Sequence, residues 1–171
     1  LIGLVGSEMC IRDRHVEKAV GDLAGPCLFA LLMGSSRLLY AKMSERISLP
    51  KMMLSSGILC IVSYLLAALS PNPALALLGC GLCGFSVGVF WPGTFSMAAA
   101  SCPKGGTALF ALLALAGDLG CSSGPGVVGV VSGAFSENLK AGLLAAIVFP
   151  VLLIIGLQLL KEGNRERGEV R

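Results

Sequence analysis

The stretch AVGDLAGPCLFALLMGSSRLLY, residues 19–40, holds one acid, Asp22, and one base, Arg37, in a run that is otherwise apolar, small or hydroxylic. A helix of this length rises about 33 Å, enough to cross a hydrocarbon core of about 30 Å. Buried charge is costly in lipid, so a run this poor in charge reads as a spanning helix rather than a surface helix of a soluble domain.

The reading extends outward along the chain. Four further apolar runs occupy residues 52–69, 74–100, 107–131 and 139–160. Between them stand a charged segment at 42–51, the turn signal SPNP at 70–73, SCPKGG at 101–106 and SGAFSENLK at 132–140. None of the runs alternates with period two, and none shows a strongly polar face. The whole chain of 171 residues is 55% hydrophobic and only 13% charged, where a soluble domain carries about a quarter charged residues. The expected fold is therefore an all-α membrane protein with five transmembrane helices joined by short loops. The domain expected to carry the function covers residues 15–161, and residues 162–171 form a polar tail.

A formal net charge of +3 is too small to indicate a nucleic-acid surface, and its distribution is a topology signal. Lys42, Arg46 and Lys51 follow the first run, Lys104 the third, and Lys161, Arg165, Arg167 and Arg171 the fifth. The other side holds His15, Lys18 and Lys140. The positive-inside rule places the C-terminus in the cytoplasm of a cell that carries this protein in its inner membrane as a multi-pass protein.

The head, LIGLVGSEMCIRDR at 1–14, differs in character from the apolar chain beyond it. Its five leading apolar residues are too short to span, and it has neither the basic start nor the small-residue cleavage site of a signal peptide. It is similar to the translated remnant of a ligated sequencing adapter, and residues 1–14 are expected to be a non-native head without function.

Two motif matches fail on context. GCGLCG at 79–84 spells the glycine pattern of a dinucleotide fingerprint, but it lies inside an apolar helix with no strand before it and no acid at the required distance after it. Cys80 and Cys83 form a C-x-x-C without a second pair, which makes a poor metal site. With His15 as the sole histidine, no Ser, His and Asp set can be assembled. No cofactor, metal or enzymatic activity is therefore expected. The glycines instead read as packing devices: Gly84 and Gly88, and again Gly120 and Gly124, stand four residues apart, as small residues do where helices approach closely in lipid. The third and fourth helices are thus expected to be packed against neighbours, with the Leu- and Ile-rich fifth facing lipid more. Pro26, Pro92, Pro125 and Pro150 lie within spanning runs and are expected to kink them.

The segment GSSRLLYAKMSERISLPKMM at 34–53 resembles the cytoplasmic loop motif of the major facilitator superfamily, G-x-L-x-D-R-x-G-R-R. Glu45 and Arg46 stand at the motif's acidic and basic pair, Ala41 replaces its first glycine, and Leu49, Pro50 and Lys51 replace its later basic stretch. Such a degenerate copy resembles the one in the second half of these transporters. FWPGTFSMAAASCPKGGTALFALLALAGDLG at 90–120 is similar to the tenth and eleventh of their twelve helices. The resemblance implies a C-terminal half fragment, helices eight to twelve, closest to the fucose permease-like sugar transporters. It also implies a missing N-terminal half of the same transporter as partner, a small-molecule substrate, and alternating access by the rocking of two halves about a site near mid-membrane. In that picture Arg37, Glu45 and Arg46 form a charge cluster that sets state preference.

Asp118 is the acid that falls deepest. Counted from Thr107, it lies about 16 Å in, near the middle of the bilayer, whereas Asp22 lies near the outer surface. An intramembrane carboxylate marks a substrate or proton pathway, and Asp118 is the candidate for proton coupling in a symporter. Trp91, able to stack on a sugar ring, and Ser122, one turn beyond Asp118, complete the candidate pathway set. The alternative is a non-transporting membrane scaffold or accessory subunit, in which Asp118 would be packed between helices.

Overall fold

A computed structural model describes residues 18–43, 46–135 and 139–169 of the chain. The expected head at 1–14 and Glu45 of the loop motif lie outside the described residues. The helices are α1 (Lys18–Met43), α2 (Leu49–Leu69), α3 (Pro73–Val87), α4 (Phe90–Ser101), α5 (Gly106–Ala134), α6 (Leu139–Ala146) and α7 (Val148–Glu169). No strand occurs among the described residues. In length and composition, 5 helical units can cross a membrane: Leu23–Met43, Leu49–Leu69, Pro73–Ser101, Gly106–Ala134 and Leu139–Leu160.

Local chemistry sets the helix ends. α2 starts from an extended Ser48 with Pro50 in its first turn, where the missing N–H has no intrahelical partner to lose. α3 starts in SPNP: the Asn72 side chain accepts a hydrogen bond of 3.0 Å from the Ala74 N–H, and Pro73 follows the cap. α5 opens at Gly106, whose φ of +51° lies in the left-handed region that glycine adopts without a Cβ penalty.

Two spans are interrupted where proline requires it. Pro92 cannot donate to the Gly88 carbonyl, and α3 gives way to a turn at 88–89 before Gly93 donates to Val89 at 2.9 Å and the helix resumes as α4. Pro150 likewise leaves the Ala146 carbonyl without its donor, and the break between α6 and α7 falls at Ile147. Pro26 and Pro125 stand inside continuous helices. α7 continues as helix to Glu169, well past the apolar run.

α3 is the most enclosed element, held between α1 and α2. Gly84 lies so near α1 that a Cβ there would meet the Phe29 carbonyl oxygen at 2.5 Å, and one on Gly88 would meet the Met33 carbonyl at 2.8 Å as well as the Ser36 hydroxyl. On its other side Gly79 approaches α2, with Ala67 N at 2.9 Å and Ser63 O at 3.1 Å from such a Cβ. α6 closes the group: Ala67, Ala68, Cys80 and Leu143 form a buried cluster with Tyr64 against it. Hydroxyls inside the bundle are satisfied within their own helices, as in Ser63 to the Leu59 carbonyl (2.7 Å) and Ser86 to the Cys83 carbonyl (2.7 Å).

The fourth span departs from expectation. α5 is the least covered of the five, and a Cβ on Gly120 would meet nothing within 4 Å. The reason is geometric: α4 touches α5 around Phe110 and Gly117, and α6 touches it through Gly142 against Val128 and Ser132, which leaves Gly120 between the two contacts. Gly124, one turn further on, is buried. The fifth span, expected to face lipid more, is less enclosed than the second and third but more than the fourth, with Ile154 of α7 lying against Gly57 of α2.

Candidate functional site

α5 has three unlike faces. Gly117, Gly124 and Val128 lie on the side that meets neighbours, Gly124 and Val128 being buried. Leu112, Leu119 and Val130 form a strongly exposed aliphatic face. The third face, at 100° per residue, gathers Thr107, Ala111, Ala114, Asp118, Ser122, Pro125 and Gly129 within about 40° of Asp118. It holds small or polar residues along its length, exposed apart from the half-buried Pro125, up to its C-terminal end, where Ser132 on the same face is buried against Gly142 of α6. Large aliphatic side chains suit lipid, so a long stripe without them, centred on a carboxylate, suits water or another protein surface.

Asp118 is exposed on that stripe, about 18 Å along the helix from Gly106. It is not packed between helices of this chain. The Ser122 hydroxyl donates to the Asp118 backbone carbonyl at 2.9 Å, within the same helix, and so does not engage the carboxylate.

An aromatic row flanks the stripe. The Trp91 indole, half exposed, sets its six-membered-ring edge against Gly117, where a Cβ would stand 2.6 Å from the ring. Trp91 and Phe95 have ring centroids 4.7 Å apart at an interplanar angle of 50°, and Phe95 stacks on Phe110 of α5 at 5.6 Å and 11°. The row joins α4 to α5 and sets Trp91 one residue away from Asp118. Sequence reading missed Phe95, Phe110 and Gly117. The four-residue step from Trp91 to Phe95 is a helical neighbour signal, whereas the pairing with Phe110 depends on how the helices cross.

Arg37, in the C-terminal part of α1, and Arg46, in the loop after it, are exposed, and the Arg46 N–H donates to the Met43 carbonyl at 2.9 Å. The third member of the expected cluster, Glu45, lies outside the described residues. No group of three or more His, Cys, Asp or Glu that could hold a metal occurs among the described residues.

The family model of the Major Facilitator Superfamily matches residues 13–170. The chain belongs to this superfamily. No individual curated protein and no solved structure matches it significantly. As a major facilitator protein it is a multi-pass membrane protein that sits in a lipid bilayer and serves secondary transport of small solutes. The family is in general not enzymatic. For a major facilitator chain, the exposed Leu and Val side chains of α5 are explained by lipid, and its small polar stripe is the part that lipid leaves unexplained.

Proposed function

We propose that this chain forms one wall of a solute pathway in a secondary transporter that works by alternating access, with the α5 stripe turned toward that pathway and Asp118 as its carboxyl group. The observation that carries the reading is the exposed carboxylate midway along an apolar span, on a stripe free of large aliphatic side chains and beside an exposed indole. A charge at the centre of a bilayer costs about 2.5 to 3.5 kcal/mol on insertion scales, which a water-filled cavity removes. Trp91 and the carboxylate together suit a polar solute with an apolar ring face, and a sugar is such a solute. Alternating access requires a second helical bundle for this one to rock against, and an N-terminal half of the same transporter fills that role. The basic residues near 42–51 and in the tail favour a cytoplasmic C-terminus in the inner membrane.

The test is Asp118→Asn in the complete transporter, which keeps the shape and removes the carboxyl. Proton-driven accumulation is expected to be lost while counterflow exchange persists. Full accumulation by this variant would remove Asp118 from coupling.

A further inference from the structure

Away from α5, the junction of α1, α2, α3, the start of α4 and the α6–α7 break lines a half-open cavity of about 250 Å³. Its wall carries three thiols, Cys60, Cys80 and Cys83, with the hydroxyls of Ser63 and Tyr64, and no charged side chain among the described residues. Cys60 of α2 and Cys83 of α3 face each other within hydrogen-bonding reach, with the Ser86 hydroxyl within reach of the Cys60 sulfur and the Tyr64 hydroxyl within reach of the Cys83 sulfur. Both cysteines are free thiols, and Cys60 is buried. Phe149, on the cavity wall, is exposed on the outer surface of the bundle.

These features restrict what the site can hold. Cys80 shares the wall, but no three such groups among the described residues stand close enough together to hold one ion, so the site suits a centre that two sulfurs saturate. With no charged residue to compensate, the bound product must be neutral, because an unpaired charge in an apolar cavity is strongly disfavoured. Two thiolates on a monovalent soft ion leave a net negative charge. Two thiolates on arsenic(III) bearing one organic group leave none, and the cavity has room for that group. We propose that Cys60 and Cys83 form a lipid-accessible dithiol site that captures organic arsenic(III) compounds and ties α2 to α3. In the reaction an arsenoso compound, R–As=O, takes both thiols: two S–H bonds and the As=O bond are lost, two As–S bonds form, and one water leaves. Arsenic stays trivalent, so no oxidant is needed.

The experiment uses phenylarsine oxide on the full chain in membranes, followed by a wash with excess monothiol. A single As–S bond exchanges in that wash, whereas a chelate is retained through the high effective concentration of its second sulfur. One arsenic per chain is expected to remain, to be released by a dithiol, and to fall to none in Cys60→Ser and in Cys83→Ser, with Cys27→Ser and Cys80→Ser unchanged. Mass-spectrometric mapping of the unsubstituted chain, which does not depend on any variant folding, is expected to find the peptides of Cys60 and Cys83 bridged by one phenylarsenic group. No retained arsenic in the unsubstituted chain, or a bridge made through Cys80 or Cys121, overturns the assignment.

Discussion

The edge of the Trp91 indole comes so close to Gly117 that the absence of a Cβ is what allows the contact: an added Cβ would stand 2.6 Å from Cζ3 and 2.9 Å from Cη2 of the indole. The glycine thereby fixes where the indole sits relative to the adjacent Asp118. The bare backbone of Gly117 leaves room for that ring edge, and the ring in turn is braced by Phe95, with 4.7 Å between the ring centroids.

Gly117→Ala is therefore expected to displace Trp91 while leaving the rest of α5 helical. Overpacking of this kind costs about 1 to 3 kcal/mol where the neighbour cannot yield, but Trp91 is half exposed and can swing outward. The expected outcome is a small change in thermal stability with a clear change in Trp91 fluorescence and in substrate affinity. Since Trp91 is the single tryptophan, the emission reports on it directly. An unaltered spectrum would show that the indole does not rest on Gly117.

Much of this architecture is legible in the sequence because hydropathy and proline act locally. The five spans follow from apolar length, and the breaks at 88–89 and at Ile147 follow from prolines placed four residues beyond an orphaned carbonyl. What is not legible is which helix answers a small residue. Gly84 and Gly120 look alike as members of four-residue glycine pairs, yet Gly84 meets the Phe29 backbone and Gly120 meets nothing within 4 Å. A glycine pair states that a helix can be approached, and the partner depends on crossings between distant segments. The same limit hid the seat of Trp91 on Gly117 and the facing of Cys60 and Cys83, which belong to different helices.

The contrast between tight and open glycines makes a paired test. Gly84→Ala drives a Cβ into the Phe29 carbonyl at 2.5 Å and 3.0 Å from its Cα, atoms that can move only with the helix. It is expected to lose about 1 to 3 kcal/mol of stability and to lower the unfolding temperature of the purified protein. Gly34→Ala adds a Cβ where nothing lies within 4 Å, and relief of glycine's backbone entropy should stabilise that helix by about 0.5 to 1 kcal/mol. Equal unfolding temperatures for the two variants would contradict the packing of α3 on α1.

Orientation can be read by labelling cysteines at the loops. Cys102 is exposed just beyond α4, on the side that also holds the turn of Ser48, while Asn72 stands at the opposite end of α2. If the basic loops are cytoplasmic, a membrane-impermeant maleimide reaches Cys102 and a Ser48→Cys variant only in inverted vesicles. An Asn72→Cys variant should react in right-side-out cells. The reverse pattern would invert the assigned topology.

The stripe on α5 offers the most decisive test of the pathway assignment. Ala114 lies one turn before Asp118 on the same face, and Leu112 lies on the exposed aliphatic face of the same helix. Both positions are exposed in this chain, so neither substitution by tryptophan meets a packed neighbour within it. If the stripe faces a water-filled pathway, Ala114→Trp narrows that pathway and should abolish uptake at normal membrane levels of protein, while Leu112→Trp, an aromatic exchanged for an aliphatic in lipid, should transport at close to the parent rate. Normal uptake by Ala114→Trp would mean that the small-residue face is turned to lipid, and with it Asp118 would lose its place in the pathway.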